Sequence, residues 1–180
     1  VGRTWELWGN IIIAGVLALP LAAALTYLLG RRRARAGHPA PARTALADVG
    51  ILTGTLPWLW MILTPATGQE GVSLVPFTDL VTLAGAPPGA VLTQVGGNLL
   101  VFAALGALLP VRGPRFASTA GVAAAGAAAS VTVEALQYVL RLGRYSSIDD
   151  VLLNTTGAVL AALVTRRWWA TRITTRTVPR

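Results

Sequence analysis

Five apolar stretches, each close to the roughly 20 residues a helix needs to cross a bilayer, divide this chain, and arginine crowds every second connection between them. The stretches cover residues 7–29, 45–64, 94–110, 117–140 and 149–165. Arg31, Arg32, Arg33, Arg35 and Arg43 follow the first, and Arg112 and Arg115 follow the third. Arg166, Arg167, Arg172, Arg176 and Arg180 follow the fifth. Of the 15 basic residues, only Arg3, Arg141 and Arg144 fall on the other side. Positively charged loops stay in the cytoplasm. The pattern therefore predicts an all-α membrane protein, a bundle of about five transmembrane helices with its N-terminus outside and its C-terminus cytoplasmic. Residues 1–180 read as a single integral-membrane domain.

A net charge of +8 would ordinarily suggest a nucleic-acid partner. Such proteins place basic residues on a soluble face, whereas here they flank apolar spans, so no nucleic-acid partner is expected. The arginines read as topology determinants that also attract anionic lipid headgroups, each by about 1 kcal/mol. The absence of cysteine excludes disulfides, thiolate zinc sites and thiol nucleophiles. His38, the only histidine, stands between arginines beside Pro39 and reads as a loop residue. Any metal site would be built from oxygen, which favours a divalent cation such as magnesium. The first span reads as a true span rather than a signal peptide, because its positive charges follow the apolar run instead of preceding it.

Trp5, Trp8, Tyr138, Trp168 and Trp169 lie at span ends, where amphipathic rings prefer the interface. Span four is almost entirely small from Ala120 to Ser130. Small residues let helix backbones approach closely. With Gly96, Gly97 and Gly106 on span three and Gly157 and Ala161 on span five, the pattern predicts a tight three-helix core around span four. Residues 65–93 form the longest loop, too short to span but apolar enough to lie in the interface, with Thr78 placed to cap a short helix.

Polar residues inside spans are costly and point to function by default. Ser130, Glu134, Gln137 and Arg141 are spaced i, i+4, i+7, i+11, along one face of a helix. On span five, Asp150, Asn154, Gly157 and Ala161 share a face, and Asp149 is rotated from it by about 100°. On span three, Gln94 and Asn98 lie one turn apart. All three polar faces occupy the outer ends of their helices. Arg144 and Arg141 lie in the loop between spans four and five. Ser147-Ile-Asp-Asp150 fits a variant capping box, with the serine as N-cap. An unpaired carboxylate at Glu134 would cost at least about 2.5 kcal/mol to insert. It is expected to be paired, protonated or facing water, with Arg144 within direct or one-water reach of at least one of Glu134, Asp149 and Asp150.

Several of these segments resemble the VanZ-like family of bacterial membrane proteins. They are Ser73-Leu-Val-Pro-Phe77, Gly97-Asn-Leu-Leu-Val-Phe-Ala-Ala-Leu-Gly106, and Ser130 with Glu134 and Gln137. The longest is Gly143-Arg-Tyr-Ser-Ser-Ile-Asp-Asp-Val-Leu-Leu-Asn-Thr-Thr-Gly157. The resemblance covers residues 73–165. The chain departs from the family's usual pattern at Ser73, Ala104, Ser147 and Ala161, and the missing acid at 147 bears most on any cation or amine site. The resemblance implies a multi-pass protein of the bacterial plasma membrane, associated with low-level resistance to teicoplanin-type glycopeptides.

Two mechanisms fit these residues. In the first, the protein binds an envelope lipid, a lipid-linked cell-wall precursor or a glycopeptide at the outer leaflet. Arg144 and Arg141 would hold phosphate or carboxylate; Asn98, Gln137, Asp149, Asp150 and Asn154 would hold hydroxyls, amides or amines. In the second, it is an intramembrane enzyme on a lipid headgroup or polyprenyl phosphate. Glu134 would then be general acid or base, and Asp149 and Asp150 would hold magnesium. A structural subunit of a membrane assembly is a third reading. The orientation has its own test: a reporter active only in the periplasm should be silent when fused after Arg180 and active when inserted near Gly68. The reverse pattern would overturn the topology.

Overall fold

The computed structural model describes residues 2–68 and 70–170, the side chains at 2–8 and 10–12 excepted. Its helices are α1 (Gly2–Arg35), α2 (Pro41–Leu63), α3 (Thr78–Ala84), α4 (Pro88–Val101), α5 (Ala103–Arg112), α6 (Thr119–Val139) and α7 (Ile148–Val164). Strand β1 (Gly71–Ser73) pairs in parallel with β2 (Tyr145–Ser147). Four segments, Ile13–Arg35, Pro41–Leu63, Pro88–Arg112 and Thr119–Val139, are long and apolar enough to cross a membrane. The helix α7 has 17 residues, a length of about 25 Å. The expected third span is not continuous: helical geometry breaks at Phe102, which separates α4 from α5.

The bundle is a row in which α1 packs on α2, α2 on α5, α5 on α7, and α7 on α6. The central helix is therefore α7, which also meets α4, rather than the fourth span. The reason lies in where the backbones touch. The bare Cα of Gly157 lies against the Leu99 carbonyl of α4, and a methyl group there would overlap it. Gly106 of α5 takes the Ala158 backbone in the same way. On the opposite side, a methyl on Gly126 of α6 would sit 3.2 Å from the Ala158 side chain. Ala158 and Ala162 are fully buried between these neighbours. Close approach of this kind maximises dispersion contacts, the main attraction between helices in lipid. Helix α1, by contrast, contacts mainly α2 and exposes Leu17, Leu19, Leu21 and Leu28.

The arginine-bearing connections gather at one end of the row. Asp48 of α2 accepts from Arg33 of α1 and from Arg112 of α5, the latter at 2.5 Å. Arg43 donates to the Trp168 carbonyl, and the Ala170 N–H reaches the Pro110 carbonyl at 2.9 Å. Arg172, Arg176 and Arg180, and the side chains of Trp5 and Trp8, lie outside the described residues. Trp168 is exposed at this end, and Tyr138 is exposed at the other.

At the arginine-poor end, the long loop is zipped onto the α6–α7 turn. The Ala66 N–H donates to the Leu142 carbonyl at 2.8 Å and the Gly68 N–H to the Gly143 carbonyl at 3.1 Å. The ladder continues as β1–β2, with Gly71 opposite Tyr145 and Ser73 opposite Ser147. Gly143 is at φ 64° with the Ala66 carbonyl pressed against its Cα, a place where a side chain is excluded twice over. Among the described residues, this two-stranded sheet is the one departure from the expected all-α fold. Beyond β1 the loop exposes Leu74, Val75, Phe77 and Val81, an apolar surface suited to the headgroup region.

Gly157→Leu should prevent close packing of α7 on α4 and lower the detergent melting temperature sharply. Gly15→Leu should leave it nearly unchanged, because a side chain at Gly15 meets no atom within 4 Å. Equal melting temperatures would contradict the central position of α7.

Candidate functional site

Helix ends in a low-dielectric setting leave N–H and C=O groups that need partners. At the arginine-poor end those partners are the polar side chains singled out from the sequence. The carbonyl end of α2 is served from the α6–α7 corner. The Gln137 amide donates to the Ile62 carbonyl at 2.9 Å, and Arg144 donates to Thr64 at 3.2 Å and Met61 at 3.1 Å. A guanidinium at a helix C-terminus also complements the helix dipole. Burial lowers the Arg144 pKa from its ordinary value. The direct form of the expected contact is not formed: no arginine makes an ion pair with Glu134, Asp149 or Asp150 among the described residues. Arg144 is turned toward backbone carbonyls instead. Arg141 stands exposed at φ 50° and does not line the site.

The N-terminus of α7 is built from both sides. Ser147 is its N-cap, accepting from the Asp149 N–H at 3.1 Å. The Ser147 N–H donates to the Glu134 carboxylate at 3.0 Å, so α6 supplies the acid that closes the cap, in place of Asp150. The Ser146 hydroxyl donates to the Glu134 carbonyl at 3.0 Å. Glu134 is thereby oriented by the β2–α7 junction and stays half-buried at the protein's interior face.

Asp149 and Asp150 take different hydrogen-bond partners, although both border a cavity beside α3. Asp149 is 2% exposed and accepts three backbone N–H groups, from Phe77 at 2.5 Å, Asp79 at 3.0 Å and Leu80 at 3.2 Å. It caps α3 from across the structure, and Thr78 does not cap its own helix. Phe77, held at φ 68° as the residue before that helix, is strained for a non-glycine side chain. The Asp149 oxygens are thus engaged by the backbone at the start of α3. Asp79, unsuspected from the sequence, accepts from the Ser147 hydroxyl.

Asp150 also lines an open cavity of about 700 Å³ bordered by α2, α4, α6, α7 and the α6–α7 turn. Its carboxylate accepts from Asn98, and from Gln94 at 3.3 Å. Asn98, Glu134, Gln137, Arg144, Asp150 and Asn154 all line this cavity, with Gln94 and Thr93. Trp58 and Ile62 supply apolar wall from α2. Asn154 is 2% exposed; its amide nitrogen donates to the buried Ser130 hydroxyl at 2.8 Å, and its Oδ1 has no partner among the described residues. A hydroxyl can donate or accept, so whichever way the amide is turned one polar atom faces no protein group. A volume of this size falls within the roughly 300–1,000 Å³ typical of small-molecule sites. Glu134 also lines a shallow groove of about 430 Å³ with Val72, Leu74, Val131 and Tyr138, so the same carboxylate borders polar and apolar space.

Sequence reasoning missed Asp48, which joins α1, α2 and α5. A lone acid on the arginine-rich side was the available signal. It also missed the backbone carbonyls of Met61, Ile62 and Thr64, for which a sequence carries no mark. Among the described residues no cluster of three or more acidic or histidine side chains has the arrangement of a metal site.

A family model described as VanZ/LLP1 matches residues 49–170. No curated protein and no solved structure matches the chain.

Asp149→Ala should free three amides and loosen α3, at a cost of about 1–3 kcal/mol for a buried group left unsatisfied. Hydrogen exchange at Phe77, Asp79 and Leu80 should accelerate strongly while exchange within α6 stays slow. Unchanged protection at those three amides would contradict the capping role.

Proposed function

Because this chain belongs to the VanZ/LLP1 family, we propose that it binds the polar end of an amphiphilic envelope molecule at the outer face of the bacterial plasma membrane. Candidate ligands are an envelope lipid, a lipid-linked cell-wall precursor and a lipophilic glycopeptide of the teicoplanin type. In this reading the chain crosses the membrane five times, with α7 as the fifth span, its N-terminus outside and its C-terminus cytoplasmic. The arginine-poor end then faces outward.

The observation that carries the proposal is the cavity itself. Three helices, α4, α6 and α7, bring Asn98, Glu134, Asp150 and Asn154 to one cavity while the surrounding surface is apolar. Amides and carboxylates at that depth suit hydroxyl, amide and amine groups of a headgroup or a peptide stem. The apolar groove beside Glu134 suits the start of a hydrocarbon chain. Binding would shield the headgroup or withhold it from an antibiotic, which would produce the glycopeptide resistance that the resemblance implies.

An enzymatic alternative draws on one observation: Glu134 lies on the cavity wall, fixed by the Ser147 N–H, where a proton donor or acceptor would have to be. With Asp149 committed to α3, that alternative has Glu134 and Asp150 as its acidic groups, and release of a cleaved headgroup would mark it.

Glu134→Gln keeps shape and the contact to Ser147. It should return teicoplanin susceptibility to that of cells lacking the protein while leaving folding and membrane insertion intact. Asn154→Leu should remove any lipid that co-purifies with the wild-type protein, read by mass spectrometry of the extracted sample. Full protection by Glu134→Gln together with unchanged lipid content in Asn154→Leu would overturn the cavity as the site.

A further inference from the structure

Resting on that reading of the cavity, we propose that the ligand group it selects is a cation, the primary ammonium of an amphiphile, rather than a phosphate. Three observations converge on this. First, the wall carries two carboxylates, Glu134 and Asp150, and neither has an arginine partner among the described residues. Second, the one guanidinium on the wall, Arg144, is turned to the Met61 and Thr64 carbonyls and serves the end of α2. A phosphate would have to compete with that arrangement and lie beside two acids. Third, the Asn98 and Gln94 amides both donate to one oxygen of Asp150, and its other oxygen has no protein donor among the described residues. An acceptor without a donor calls for a ligand that brings N–H groups.

A primary ammonium fits this set. It brings three donors and no acceptor, and its charge opposes the two carboxylates, where charge-assisted hydrogen bonds are strongest. A bare divalent cation fits less well, because it needs oxygens converging at roughly 2.0–2.6 Å. Here one Asp150 oxygen already accepts from the Asn98 and Gln94 amides, and the Asp149 oxygens are engaged by the α3 backbone, so too few free oxygens converge. Bringing Arg144 off α2 would leave two helix carbonyls unsatisfied, which sets a further barrier to anion binding.

The test uses the purified full chain in maltoside micelles and three probes with one common tail: dodecylamine, dodecyl phosphate and dodecanol. Dodecylamine near neutral pH should raise the melting temperature of the wild type, and the phosphate and alcohol should not. Glu134→Gln should weaken the dodecylamine response on the order of tenfold, the loss of one charge-assisted contact. Gln94→Arg, at the half-open side of the cavity, should abolish it by placing a resident guanidinium opposite Asp150. A preference for dodecyl phosphate, or equal response to all three probes, overturns the ammonium assignment and leaves the amphiphile cavity standing. A Glu134-dependent shift with magnesium chloride alone overturns it in favour of a metal. No response to any probe, or responses unaffected by Asn154→Leu, overturns both the assignment and the cavity reading on which it rests.

Discussion

The end of a helix is the weak point of any apolar bundle, since its free N–H and C=O groups find no water in hydrocarbon. This protein meets that constraint at three termini of the arginine-poor end, those of α2, α3 and α7, by drawing on another element. The carbonyls closing α2 are held by Gln137 of α6 and by Arg144. The start of α7 is held by its own Ser147 and by Glu134 of α6. The start of α3 is held by Asp149 of α7. The result is a closed set of caps in which α6 and α7 serve their neighbours, and the cavity is the space those caps surround. Polar side chains at one depth are thus explained twice, as caps and as wall.

That double use shows how far the site was legible in the sequence. Periodicity placed Ser130, Glu134 and Gln137 on one face, and Asp150 with Asn154 on another, and the helices do turn those faces toward a common space. It also separated Asp149 from Asp150 by rotation about the helix. What rotation could not reveal was the partner awaiting Asp149, because α3 reaches it from some 70 positions away in the chain. Arg144 was matched to acids because charges attract in any sequence-level reading. Its real acceptors are backbone carbonyls, which every residue possesses and none announces.

The fold was legible where composition is extreme and obscure where contacts decide. Arginine placement separated the two ends, and Asp48 later proved to be the anchor that draws Arg33 and Arg112 together. The run of small residues on α6 suggested a central helix, yet small residues permit close packing on one side without requiring it on all. Helix α7 has fewer small residues in a row, but Gly157 and Ala158 sit where three neighbours, α4, α5 and α6, meet it, and that placement decides the centre. The β1–β2 ladder is three residues long on each side, below the length at which alternation can be read.

Asn154 joins these strands of argument. It lies one turn before Ala158, so the helix face that carries the cavity's deepest polar group runs directly into the tightest packing of the bundle. A buried amide satisfied on one side costs stability, about 1–3 kcal/mol for the atom left over, and an apolar residue of similar volume would avoid that cost. The position of the amide cannot adjust to find another protein partner, because Gly157 locks α7 against Leu99 and Gly106 locks Ala158. Rigidity is what a recognition site needs from its scaffold: a polar atom held still costs little further entropy when a ligand arrives. The same close packing that makes α7 the core of the fold therefore makes Asn154 and Asp150 fixed points of the cavity.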